Sequence, residues 1–169
     1  GLDLPPLVEE ETSGLDQCNE LAEQILALPN LKHGGNKACY LPGPDVVLLP
    51  HRSGFEQSDF YFSTGYHEIC HWTGHLDRLN RMFGTRFGDL AYAFEELVAE
   101  IGSAFLGAHT GIPFETMRHP EYIHHWLHIL QGDSKAIFTA AAKAQQVADF
   151  VLDKAGIVSI QEETLPAAA

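Results

Sequence analysis

The run His67-Glu68-Ile69-Cys70-His71 constrains this 169-residue chain more than any other stretch, because its spacing makes chemical sense only on a helix. Residues four apart on an α-helix lie roughly 40° from each other around the axis, so His67 and His71 project from one face and can reach one ion. Glu68 lies about 100° further round, where it can touch a water on that ion without being a ligand itself. Zinc lowers the pKa of its bound water to roughly 7, and a carboxylate beside that water can take its proton and pass it on. Three positions match by chance in many helices, and the bland reading is a surface helix with two ordinary histidines. The flanks favour a buried active-site helix instead. Phe60, Phe62, Tyr66, Ile69 and Trp72 supply an apolar side, and Gly74 supplies a stop, so a helix is predicted from Ser53–Ser58 to about Gly74.

Catalytic zinc usually takes three protein ligands and keeps a fourth position open, so one more donor is needed. Glu96, in Phe94-Glu95-Glu96-Leu97-Val98-Ala99-Glu100, ranks first, because it lies on a second predicted helix. Glu100, one turn on, can orient one of the two histidines. Asp77 ranks second: it completes H-E-x-x-H-x-x-G-x-x-D, a metzincin-type spacing, but such sites also need a Met-turn, and neither Met82 nor Met117 sits in a convincing turn context. His75 ranks third, since an unbroken helix carries it too far along the axis and a break at Gly74 misdirects it.

The length and a 45% hydrophobic composition suffice for one domain with a real core. No apolar run is long enough to cross a bilayer, and the start does not read as a signal peptide. Three cysteines (Cys18, Cys39, Cys70) without a C-x-x-C point to a reducing compartment, with Cys70 packed as a small apolar residue facing away from the histidine face. A net charge of −13 argues against gripping a phosphate backbone. It serves solubility, or, in a sharper reading, imitates DNA or attracts a basic protein.

Residues 1–14 lack periodicity and read as a linker or arm, as expected of a piece of something longer; the domain is placed at 15–156 and a disordered tail at 157–169. A helix is predicted from about Asp16, with Leu21, Ile25 and Leu28 inward, ended by Pro29-Asn30 and followed by a turn at Gly34-Gly35-Asn36. Ala38–Leu41 and Val46–Leu49 flank Pro42-Gly43-Pro44-Asp45 and read as a β-hairpin whose free edge can pair with an extended peptide. The loop from Arg78 to Gly88 holds Arg78, Arg81 and Arg86, which with Arg52 either hold a carboxylate or phosphate or offset local acidity. Residues 90–108 form the second long helix, where small Ala99, Gly102 and Ser103 allow close approach to the metal helix. A third helix, Pro120 to Leu130, presents His124, His125 and His128 on an exposed face. The last runs from Ser134 to about Lys154.

Taken together, His71-Trp72-Thr73-Gly74-His75, Arg78-Leu79-Asn80-Arg81 and Tyr92-Ala93-Phe94-Glu95-Glu96-Leu97-Val98-Ala99-Glu100 resemble the zincin-like metallopeptidase domain of ArdC-type antirestriction proteins. That domain recurs in polyvalent proteins of plasmids and phages. Tyr40 to Pro50, and Tyr122, Trp126, Leu127, Leu130 and the run Ala140-Ala141-Ala142, are similar to further parts of it, so the likeness covers about 16–155. It departs from the usual pattern at Tyr66, Ile69-Cys70 and Phe94, none of them a predicted ligand.

The resemblance implies an α+β zincin-like fold, mostly helical, with a small hairpin or sheet beside the active-site helix. It implies one divalent ion per chain, zinc first and manganese or another as alternatives, and a gluzincin-like third ligand that maps onto Glu96. It also implies single-stranded-DNA binding only through an N-terminal domain outside this stretch, a protein or peptide substrate, no membrane, and a cytoplasmic setting in a bacterial host. The leading function is a peptidase with His67, His71 and Glu96 as ligands and Glu68 as general base. Tyr40, Tyr92, Tyr122 and His125 are the candidates for stabilising the oxyanion. The rival is a metal-stabilised scaffold that contacts a restriction enzyme or the partner domain.

Overall fold

In the computed structural model the described residues are 19–81, 90–113, 126–127 and 129–157. Helix α1, over 19–26 in its described part, turns Ala22, Ile25 and Leu26 into the core. Strands β1 (Asn30–His33), β2 (Cys39–Leu41) and β3 (Val46–Leu49) follow, then a single 3-10 turn, Arg52–Gly54. Three long helices complete the chain: α2 (Ser58–Thr73), α3 (Leu90–Thr110) and α4 (Ala136–Lys154). Residues 126–127 and 129–132 are also helical, and the Trp126 indole N–H pins that segment to α3 by donating to the Ala93 carbonyl at 3.1 Å.

The sheet has the order β1-β3-β2. The hairpin forms as expected, with Cys39 opposite Leu48 and Leu41 opposite Val46. Asp45, in its loop, takes a left-handed φ of 52°, a conformation that Asp tolerates better than most residues. The sequence reading did not foresee β1, which pairs parallel to β3 from Asn30↔Val46 to His33↔Leu49. Its four residues include one apolar side chain, Leu31, and three of them are exposed, so no alternation advertises a strand. What makes it one is the second edge of β3, whose buried backbone needs hydrogen-bond partners. The ladder continues into the predicted Gly34-Gly35 turn, where Gly34 N–H donates to the Leu49 carbonyl at 2.9 Å.

The apolar side of α2 is as predicted. Phe62, Tyr66 and Ile69 are fully buried, together with Val47 and Leu49 of β3, Val98 and Leu106 of α3, and Val147 and Val151 of α4. Each such side chain contributes about 1.5–3 kcal/mol on burial. The sheet therefore covers one side of α2, and α3 with α4 the other. Helices α2 and α3 run antiparallel, since the partners of His71, His67 and Ser63 are Glu95, Glu100 and Ser103 in that order. They touch at Gly102, where an added Cβ would lie 2.9 Å from Cys70 Sγ. That close approach brings the carboxylates of α3 within reach of the histidines of α2. Ile157, the first residue of the expected tail, packs against the core; the expected arm, 1–14, and the rest of the expected tail, 158–169, lie outside the described residues.

Candidate metal centre

His67 and His71 sit one turn apart near the C-terminal end of α2, with Nε2 atoms 3.2 Å from each other. Glu96 reaches across from α3. One of its oxygens lies 3.3 Å from His67 Nε2 and the other 3.5 Å from His71 Nε2. The three donors, all buried, lie within 4.8 Å of one another. Two imidazole nitrogens and one carboxylate oxygen, with a position left over, make a donor set that suits a divalent ion such as zinc.

The outward-facing nitrogens of the two rings are also engaged. His67 Nδ1 lies 3.0 Å from Glu100 Oε2, and His71 Nδ1 lies 3.4 Å from Glu95 Oε1. An ionised carboxylate only accepts, so each Nδ1 carries a hydrogen, and each Nε2 faces the space shared with Glu96. Burial opposes charge on His67, but the hydrogen bonds of Glu100 and Glu96 outweigh it and raise its pKa well above the ordinary histidine value. His71 follows the same balance, with Glu95 and Glu96 as the partners. The same pairs hold Glu96 and Glu95 below the usual carboxylate range despite their burial. Without an ion, the cluster is a trap for protons. With one, the ion takes the place of those protons.

Glu68 is 8% exposed, and among the described residues it makes no hydrogen bond or ion pair. Its charge favours protonation of His67, Cys39 and Cys70, so it lies close enough to all three for its charge to be felt. A buried carboxylate without a partner is costly, and such groups concentrate where chemistry is done.

Two arginines of the turn after α2 close the other side. Arg81 grips Glu95 with Nε at 3.0 Å and Nη2 at 2.8 Å, and it also donates to the Cys70 carbonyl and to Thr73 Oγ1. Arg78 lies over the Trp72 ring at 4.2 Å. It donates to the Trp72 carbonyl at 2.6 Å, to both oxygens of Asp45 and to the Tyr40 hydroxyl. Guanidinium groups at the last carbonyls of a helix satisfy its unpaired acceptors and suit its dipole. Of the two readings of these arginines, offsetting local acidity is the one that applies: Arg78, Arg81 and Arg52 each pair with a carboxylate of this protein, Asp45, Glu95 and Glu23.

The remaining candidates fall elsewhere. Asp77 is an exposed turn residue whose N–H donates to His75 Nδ1 at 3.2 Å, and neither joins the donor cluster. Tyr40 gives its hydroxyl proton to Asp45 at 2.8 Å and so is committed to the hairpin. Tyr92 is half-buried on α3. Tyr122, His125 and the neighbouring His124 and His128 lie outside the described residues, as do Cys18, Met82, Arg86 and Met117. Cys70 is fully buried against Gly102, the packing role expected of it. Sequence reasoning overlooked Glu95 as a partner of His71. Its signal was adjacency to Glu96, which on a helix gives two carboxylates diverging by about 100° and able to meet different rings.

The sequence matches the zincin-like metallopeptidase family over residues 18–143. The chain belongs to this family. Relatives within reach of the same domain include the DNA primase TraC of Escherichia coli, 42% identical over 152 residues, which are 88% of this chain but 14% of TraC. An uncharacterized protein, y4eC, of Sinorhizobium fredii is 41% identical over 72% of this chain and 40% of its own length. The chain thus spans less than half the length of these curated relatives. Among solved structures, the antirestriction ArdC protein from plasmid R388, with Mn(II) bound, superposes with a TM-score of 0.72 at 32% identity, covering 94% of this chain and 57% of ArdC. The metal-free form of ArdC gives 0.70. The zincin-like domain here is therefore of the ArdC type, and two of its three donors, His67 and His71, lie on the helix that carries the H-E-x-x-H run. Among the described residues no helix is long and apolar enough to cross a membrane.

Proposed function

We propose that this zincin-like domain is a metal-dependent peptidase, with His67, His71 and Glu96 holding one divalent ion. The observation that carries the reading is the pairing of two features: three donors converging, with the outer nitrogens of the two histidines held, and a buried carboxylate, Glu68, near them that has no hydrogen bond or ion pair among the described residues. Zinc suits the donor set, and the Mn(II) in ArdC supports a site open to more than one divalent ion. The ion, when bound, supplies Lewis acidity, lowering the pKa of a water and polarising a carbonyl. Glu68 takes the proton of the attacking water and delivers it to the departing amine. Glu100 and Glu95 keep both rings in the ligand-ready tautomer. The outer edge of β2, which among the described residues pairs with β3 on one side only, can accept an extended peptide as a further strand and so align it along the site. The plasmid origin and antirestriction name of ArdC, and the primase name of TraC, support a protein substrate met on incoming DNA, with DNA itself held by a part of the full protein beyond this domain.

A scaffold that uses the ion for stability and its −13 charge to contact a restriction enzyme is the second reading. Glu68→Gln separates the two. It keeps the shape of the side chain and leaves every donor in place, so ion content stays at one per chain while cleavage of an unfolded protein substrate falls by about 10²–10⁴-fold. Antirestriction that survives Glu68→Gln would favour the scaffold.

A further inference from the structure

The turn that follows α2 places one guanidinium against three parts of the metal centre's support. Arg81 meets Glu95 in a two-point grip, Nε to Oε2 at 3.0 Å and Nη2 to Oε1 at 2.8 Å. Its Nη2 also donates to the Cys70 carbonyl at 2.5 Å, and its Nη1 to Thr73 Oγ1 at 2.8 Å. Thr73 in turn donates to the same Cys70 carbonyl at 2.6 Å. The pair is almost wholly buried, with side-chain exposures of 7% for Arg81 and 6% for Glu95. The oxygen held by Nη2, Oε1, is also the one that meets His71 Nδ1, at 3.4 Å. The turn itself is stitched to the helix end: Arg81 N–H donates to the Gly74 carbonyl at 3.0 Å and Leu79 N–H to the Thr73 carbonyl at 2.9 Å.

A planar guanidinium presents its donors in a fixed fork, so a two-point grip sets both the position and the rotation of the carboxylate it holds. Glu95 alone is a flexible side chain with three rotatable bonds. Held by Arg81, it offers His71 one acceptor in one place. We infer that Arg81 is a positioning residue for the metal centre, acting through Glu95 to fix the rotation and tautomer of His71. The inference rests on the reading that His71 is a ligand. It assigns to the turn after α2 control over ion affinity, though the turn contributes no ligand.

The test is zinc affinity by competition with a chromogenic chelator, with the visible spectrum of the cobalt(II)-substituted protein as a second readout. Both are measured for wild type, Arg81→Lys, Glu95→Gln and the double variant, and each metal-free form is melted as a control for folding. Each single change is expected to weaken zinc by roughly 10–100-fold and to shift the cobalt(II) bands. Because the two residues act in series, the double variant should be no weaker than the worse single. Losses that multiply in the double variant would overturn the inference and make Arg81 a helix-end support only. So would wild-type affinity and spectrum in Glu95→Gln, which stands as the deciding variant if Arg81→Lys does not fold. A wild type that binds neither ion overturns the ligand reading as well; a wild type that binds, with insensitive variants, overturns only this one.

Discussion

Two polar networks flank the C-terminal half of α2, and they differ in where their valences point. On the sheet side, Arg78, Asp45, Tyr40 and Trp72 satisfy one another: the guanidinium forks onto Asp45, the tyrosine donates to the same carboxylate, and the indole lies under the cation. On the α3 side, Glu95 and Glu100 hold the outer nitrogens of His71 and His67, while both inner nitrogens and Glu96 face a common space. The first network closes on itself and fastens the hairpin to the helix end. The second is built to need something more. Both use the same chemistry of charge-assisted hydrogen bonds, so residue types alone do not separate structure from function. The convergence of three donor atoms on one space does.

Breaking the open network should cost metal and little fold; breaking the closed one should do the reverse. Glu96→Ala removes one of three donors, and ion content by elemental analysis should drop from one per chain to background, while Asp77→Ala retains the ion. Loss in Asp77→Ala alone would shift the third ligand and undo the contrast. Arg78→Ala should destabilise the fold by about 1–3 kcal/mol, toward the low end because Asp45 is more than a third exposed, with ion content unchanged. Urea titration with parallel metal analysis checks it. Arg78→Ala protein that folds normally but loses the ion would merge the two networks into one.

The smallest effect is in pH, and its sign differs between the networks. Burial lowers the proton affinity of His67 and His71, but the carboxylates around them raise it further, so the ion competes with protons at neutral pH. Ion affinity should therefore rise with pH by about tenfold per unit for each proton displaced. In the metal-free protein the raised values work the other way. Their stabilisation is fully present below the unfolded histidine pKa and is lost as pH rises through the folded values. Asp45, held low by Arg78, contributes only above the ordinary carboxylate range, and that contribution is lost on acidification. Denaturant midpoints across pH, with and without zinc, separate the three trends.

The readability of this protein from its residues follows the same division. The helix that carries His67 and His71, the close approach at Gly102 and the hairpin all come from local periodicity and turn chemistry, and they occur where those patterns put them. Strand β1 and the Arg81–Glu95 pair do not, because each exists to satisfy a group that is distant in sequence: the far edge of β3, and a ring on another helix. Glu95 and Glu96 show the limit well. As neighbours on one helix they are equivalent in sequence, and only the approach of α2 gives one the inner nitrogens and the other the outer one.

By itself the sequence determined that two histidines share a helical face, that a glutamate lies beside them off that face, and that a second helix with small residues can pack close enough to supply carboxylates. Spacing on one helix is a local property, settled by 3.6 residues per turn. The tertiary structure decided which carboxylate meets which nitrogen, that Asp77 and His75 stay outside the cluster, and that the turn after α2 reaches back to hold Glu95. Those outcomes depend on the packing angle and register of α2 against α3, which arise from the whole core and from no single stretch of the chain.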